Sequence, residues 1–412
     1  MITEEGQHSI FAKHFFEPVT LCVFFLILGI FLSPSQSFAS YPSYLLILIA
    51  AISPRFFFRV FGVSSFIFFG LVLAYFLLST AWSEGTDWRS FGSSLVRVVL
   101  VLAFVLGLAK LYSKKPNSSF LPSSVISIGF FTAVISIVLH VDLTMTDWNL
   151  GTRMNGLSFL ENPVLSGMLF ALAMLCSLDR WLREKTWRSR VPLSLVLVIL
   201  ALAVFLCGSV NSQLSLFVAV SALLIKRKAF SVTSVFFSIL VVLLVFVIWS
   251  QFKSLDELVG FFLPRGDSYR LAIWQATISN LDIWQTLLGN GMGSNDDITI
   301  ESRTFLHPHS LYLSIFFEAG LLGLLLSLTM IYMSGRVLWK SEAKEAALFF
   351  SILVLGMVSF IFDSHELIDK VDHKWLLLWC PIGFSVALVL NELSDGSHIG
   401  QFETEKIKGR RF

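Results

Sequence analysis

A few polar side chains in an otherwise apolar chain have the types and spacing that chemistry needs: Arg153, Arg265, Arg270, His307, His309, Ser310 and Glu318. Arg265 and Arg270 flank Asp267 and Ser268. From Tyr269 onward, Leu271, Trp274, Ile278, Leu281 and Leu287 recur at helical spacing. The helix dipole disfavours a guanidinium in a first helical turn, unless an anion shares the site with the free amides. Arginine binds phosphate through parallel N–H bonds, so a phosphate or pyrophosphate fits. An interfacial arginine paired with Asp267 or with lipid headgroups fits the same pattern. His309 heads an apolar run beside Ser310, and a histidine titrates near neutrality and suits proton transfer. His307 lies across Pro308 and is free to face elsewhere. Glu318 falls inside the apolar run, where a carboxylate is costly and is usually paired or functional.

The elements that position these groups must be membrane helices. Of 412 residues, 55% are hydrophobic and 14% charged, against about a quarter charged in soluble domains. Apolar runs of about 17–25 residues, the length of a spanning helix, recur along the chain. They predict an all-α polytopic membrane protein with twelve spans, at 18–34, 42–54, 61–81, 91–111, 119–141, 163–178, 191–207, 213–225, 229–251, 310–334, 345–362 and 374–391. Residues 1–412 then form a single integral membrane unit without internal repeats, and the first run is a retained helix with no obvious small-residue cleavage site. With the N-terminus inside, 21 of the 30 Lys and Arg fall in cytoplasmic segments and 8 outside, with Arg97 inside a span. Every candidate above except Glu318 is then external or at the outer boundary. Segment 253–309 is the largest external loop; 142–162 and 363–373 are smaller.

Within 253–309 the spacing predicts one amphipathic helix along the membrane surface, capped by Asp267 or Ser268 and ended by Gly289–Gly291. Gly289-x-Gly-x-Gly293 lacks the strand–helix setting of a dinucleotide fingerprint and reads as a flexible turn. Asp363, His365, Glu366, Asp369, Asp372 and His373 read as a solvated loop whose spacing is not diagnostic of a metal site. Cys22, Cys176, Cys207 and Cys380 form no CxxC pair and read as buried small hydrophobes. Membrane lipids are the expected surroundings; neither a nucleotide site nor a nucleic-acid partner is expected.

Arg270-x3-Trp274, Gly289-x-Gly-x-Gly293-Ser294 and His309-Ser310-x9-Gly320-x2-Gly323 resemble the O-antigen ligase/polymerase superfamily, the last pattern in particular its ligases. Arg153-x2-Gly156, followed by Glu161-Asn162-Pro163, is similar to an earlier arginine segment of that family. Matching motifs cover about residues 150–325. One departure is the turn Gly208-Ser-Val-Asn-Ser-Gln213, which lacks the Ser-Arg pair that many members carry there. The resemblance implies a metal-independent glycosyltransferase of the bacterial inner membrane, working on its periplasmic face with a glycan on undecaprenyl pyrophosphate. In a ligase the acceptor is the lipid A–core and the product is lipopolysaccharide. His309 would be the general base, Arg270 and Arg265 would stabilise the pyrophosphate leaving group, and Arg153 would be a second phosphate contact. Trp274, Ser310, Glu318 and His307 would stand beside the substrates. A polymerase with the same donor, a protein O-oligosaccharyltransferase and a lipid-linked-glycan transporter are the alternatives. The absence of an internal repeat disfavours the transporter.

Overall fold

A long apolar segment in lipid satisfies its backbone by becoming helical. The computed structural model describes residues 18–51, 56, 60, 64–84, 87–144, 153–157, 162–229, 269–279, 281–295, 297–300 and 303–393, and is mostly helical. In chain order the elements are α1 (Pro18–Leu32), α2 (Gln36–Ala51), α3 (Ser64–Ser79), α4 (Trp88–Lys114), α5 (Phe120–Thr144), α6 (Pro163–Arg183), α7 (Trp187–Leu206) and α8 (Val210–Arg227). They continue with α9 (Arg270–Ser279), α10 (Ile283–Leu288), β1 (Ile298–Ile300), β2 (Arg303–Phe305), α11 (Leu311–Lys340), α12 (Ala346–Phe362) and α13 (Trp375–Leu393).

Among the described residues six helices, α4, α5, α6, α7, α11 and α13, are long and apolar enough to cross a membrane; α1, α12 and the stretch Phe66–Trp82 are shorter apolar helices. The chain is an all-α polytopic membrane protein, and its twelve-span count rests on the sequence alone. The span expected at 213–225 lies inside α8, and the one at 229–251 falls, but for residue 229, outside the described residues. All four cysteines are free and buried, as expected.

Local sequence sets the helix ends. Asp87 caps α4 through Ser90 N (2.7 Å), and Asn162 caps α6 with Pro163 at its first position. Ser209 caps α8, which Lys228 ends in a left-handed conformation (φ 54°). Packing then ranks the helices. Helix α13 is almost wholly enclosed and opens with a π-helical turn at Trp375–Trp379, whereas α7 turns most of its surface outward, as a lipid-facing helix does.

Two ends of the bundle are chemically distinct. At one, Asp179 is fully buried between Arg183 (2.8 Å) and Arg227 (2.7 Å), and Arg183 also holds Glu345 (2.8 Å). Lys226 donates to Trp339 O and Ser341 O at the same end. This is the cation-rich side that the Lys/Arg count assigns to the cytoplasm. At the other end meet the C-termini of α7 and α12 and the N-termini of α8 and α11. Asn211 donates to Ser359 O (3.2 Å), and Tyr312 donates to Met357 O (2.7 Å).

Helix α11 is broken to make this possible. A straight α11 would carry Tyr312 about 40 Å from Lys340, whereas Met357 lies only about 18 Å along α12 from its start. Gly320, at φ 64° and ψ −169°, takes the chain off the helical path, and Leu311–Ala319 forms a separate half-helix.

Candidate active site

The half-helix Leu311–Ala319 carries the histidine motif at its head. Ser310 occupies the capping position and is buried, but its hydroxyl caps no amide. His309 has a left-handed φ of 53°, and its backbone N–H donates to Nδ1 of His307 (3.2 Å). That bond requires an unprotonated Nδ1 on His307. Burial, then the neighbouring His309 and His365, push the His307 pKa down to about 4. His307, read from the sequence as free to face elsewhere, does not do so: across Pro308 its ring lies 4.1 Å from that of His309. The His365 ring stacks on His307 at 4.7 Å.

Asp363, directly after α12, stands 3.6 Å from His309 Nδ1. Burial raises the Asp363 pKa, but the close approach and charge of His309, then the charges of His373 and His307, outweigh it, so the carboxyl ends below its ordinary range. A carboxylate on Nδ1 favours the tautomer that leaves Nε2 as proton acceptor. His309 is 37% exposed at its side chain, so it faces both the carboxylate and open space.

The loop after α12 is not the solvated stretch that its composition predicts. Asp363, Asp369, Asp372, His373 and Lys374 are buried. Lys374 Nζ holds Asp372 (2.5 Å) and donates to His365 O (2.9 Å). Arg97, the arginine inside α4, holds Glu366 (2.5 Å) and lies 3.7 Å from Asp369. Paired charges of both signs let the loop pack, which an acidic count alone does not reveal. Among the described residues no group of three His, Cys, Asp or Glu could hold a metal ion.

The arginine-bearing segment joins this centre through backbone. Helix α9 begins at Arg270, and Tyr269 O accepts Ile273 N (2.8 Å), so Tyr269 occupies the capping position with φ 62°. Asp267 and Ser268, the expected caps, lie outside the described residues, as does Arg265. Arg270 is half-buried and makes no ion pair with a described residue. Trp274 Nε1 donates to Pro308 O (3.2 Å), which fixes α9 against the His-Pro-His segment. The single amphipathic helix expected here is two: Asp282 and Gln285 form a capping box that starts α10 afresh. Leu271, Ile278, Ile283, Trp284 and Leu287 stay exposed. The short hairpin β1–β2 was not expected either; Arg303 of β2 lies over the Tyr269 ring at 5.4 Å.

The glycine turn is packed rather than flexible, and it fills the break in α11. Asn290 N and Gly291 N donate to Phe317 O and Glu318 O, both at 2.8 Å. Gly293 N donates to Glu318 Oε1 (3.3 Å), so the buried carboxylate of Glu318 binds the turn. A Cβ on Gly289 would lie 2.3 Å from the Glu318 backbone, and one on Gly320 2.4 Å from that of Leu287. Both glycines also have positive φ, so the two backbones meet only because neither carries a side chain.

Arg153 sits at the same end of the bundle. Its Nε donates to Cys207 O (3.0 Å) and its stem packs over Gly208. It therefore puts a guanidinium over the very turn, 208–213, whose own sequence lacks one.

The structure thus gathers His307, His309, Ser310, Trp274 and, through backbone links, Arg270 and Glu318. Asp363 and His365 were legible only as members of an acidic loop. Their role beside His309 depends on a contact between residues 54 positions apart in the chain.

A family model described as O-antigen ligase matches residues 195–328, which hold the glycine turn, the histidine motif and the break in α11. The chain is also 24% identical over 360 residues to an O-antigen ligase of Pseudomonas aeruginosa, covering 86% of this chain and 85% of that one. Both comparisons support membership of the O-antigen ligase superfamily.

Proposed function

We propose that this protein is an O-antigen ligase of the bacterial inner membrane, transferring a glycan from undecaprenyl pyrophosphate to a sugar hydroxyl of the lipid A–core on the periplasmic face, without a metal. The observation that carries this reading is the His309–Asp363 pair at the head of a glycine-broken helix. Asp363 holds Nδ1, and Nε2 accepts the proton of the acceptor hydroxyl. The acceptor oxygen bonds to the anomeric carbon of the donor as that carbon's bond to the pyrophosphate oxygen breaks. The lipid pyrophosphate leaves with its electron pair, and Arg270 and Arg265 offset the charge that develops on it. Arg153 provides a further phosphate contact. The energy of transfer is stored in the donor, so the reaction needs no nucleotide. Glu318 and Trp274 act by holding the glycine turn and α9 in register, His307 by fixing the backbone at His309, and Ser310 stands beside the substrates.

The test is a gel of lipopolysaccharide from a deletion strain, with lipid-linked glycan extracted in parallel. The ligase reading expects core without polymer, and long glycan accumulating on undecaprenyl pyrophosphate. Core bearing one repeat unit with no long lipid-linked glycan would instead make this the polymerase. An unchanged ladder would overturn both.

A further inference from the structure

We propose that Tyr75 is a positioning residue: its single hydroxyl, shared between two backbone carbonyls, ties the arginine-bearing segment to the histidine-bearing half-helix and so sets the separation of Arg270 and His309. The proposal rests on the catalytic reading given above for those two residues.

Tyr75 OH lies 2.9 Å from Ala319 O and 3.2 Å from Leu288 O. Neither carbonyl is an ordinary helical one. Leu288 ends α10, so its carbonyl is among those without an intrahelical partner. Ala319 immediately precedes the break at Gly320. Carbonyls at a break within a membrane protein need partners from elsewhere in the fold. One phenol serves both, from a helix, α3, that is remote in sequence. The same face of α3 and the 3-10 turn after it adds two further ties to the inserted turn. Trp82 Nε1 donates to Gly289 O (3.2 Å), and Ser79 Oγ accepts Met292 N (3.0 Å). The Tyr75 ring lies against Gly323, the last glycine of the histidine motif, where an added Cβ would sit 3.1 Å from its Cε1. That glycine is therefore where the tyrosine docks.

The two tied carbonyls lead in opposite directions to the candidate site. From Leu288 the chain runs back through α10 and its capping box to α9 and Arg270. From Ala319 the half-helix runs back to Ser310 and His309. Tyr75 touches neither of those residues. It acts through the backbone that carries them, and a misplacement of reacting groups by about 1 Å costs up to about a hundredfold in rate.

The experiment uses full-length protein reconstituted in nanodiscs, comparing wild type with Tyr75→Phe, which keeps the ring and removes the bond. Spin labels at Leu271→Cys in α9 and Leu313→Cys in the half-helix report the distance between the segments. The native cysteines are buried and leave the introduced ones as the reactive sites. Transfer is assayed with undecaprenyl-pyrophosphate glycan and lipid A–core. Tyr75→Phe should broaden the distance distribution and lower kcat on the order of tenfold with KM changed less than about twofold, the pattern of a lost transition-state arrangement. An unbroadened distribution, or an unchanged kcat beside an active wild type, would overturn the proposal. Should wild type itself transfer nothing, the ligase reading fails and the distance distribution alone decides the role of Tyr75. If Tyr75→Phe does not fold, Trp82→Phe, which removes the Gly289 bond together with part of the ring that backs Tyr75 at 6.3 Å, takes its place with the same expected broadening and the same overturning result.

Discussion

His309 is held in a left-handed conformation, which for a non-glycine residue costs of order 1–3 kcal/mol and persists only where neighbours impose it. The imposing contact is the bond from its own amide to His307 Nδ1, and this gives His307 a pH signature. Its folded pKa of about 4 lies below the ordinary value of 6.5, so the fold favours the neutral ring. That stability is present above pH about 6.5 and is lost as pH falls toward about 4, because the unfolded chain takes the proton first. Thermal unfolding of the purified protein should therefore show a smaller loss of Tm between pH 7 and pH 5 in His307→Asn than in wild type. Equal losses would remove His307 as the group responsible. Asp363→Asn keeps the shape but withdraws the charge that faces His309 Nδ1 at 3.6 Å. It should lower kcat by a hundredfold or more, read in a reconstituted transfer assay with protein level and fold unchanged. His309 was legible in the sequence, since a histidine beside a serine at the head of an apolar run stands out. Asp363 was not, because only the packing of α11 on α12 brings it there.

At the scale of elements, the break in α11 and the turn that fills it are one device built from glycines. Gly320 and Gly293 both have positive φ, 64° and 80°, but only Gly320 faces backbone at 2.4 Å, while Gly293 has nothing within 4 Å. Gly320→Ala should therefore expel the turn and sharply reduce folded yield. Gly293→Ala should cost only the conformational strain, about 1 kcal/mol. Monodisperse protein recovered on size-exclusion chromatography measures both; equal yields would mean the turn is not seated as described. Periodicity exposed the long helices because every turn of an apolar span repeats the same signal. It merged α9 with α10, since Leu281 and Leu287 continue the apolar spacing across the capping box of Asp282 and Gln285. It also took the glycine turn for a flexible one, because nothing in Gly289–Gly293 itself says that Phe317 and Glu318 will offer it two carbonyls.

Across the whole molecule, charge separates the two ends. The cation-rich end closes on the buried cluster Asp179, Arg183, Arg227 and Glu345, where removing one partner leaves uncompensated charge. Arg183→Met should destabilise the protein by about 3–5 kcal/mol and lower its membrane abundance. Arg180→Met removes an exposed pair with Glu184 at 3.9 Å and an exposed hydrogen bond to Ser123 Oγ (3.3 Å), and should change stability by less than about 1 kcal/mol. Immunoblots of membrane fractions after heating compare the two, and similar losses would contradict a structural role for the cluster. At the opposite end, the His-Pro-His segment, the packed loop after α12, the broken helix and Arg153 converge, and the central claim is that a proton is taken up there by His309. The most direct test is transfer of glycan from undecaprenyl pyrophosphate to lipid A–core by reconstituted wild type and His309→Ala in parallel. The account expects the wild type to form the product and His309→Ala to lose transfer by at least about a hundredfold, the reach of general base catalysis, while remaining folded. Full transfer by folded His309→Ala would contradict it.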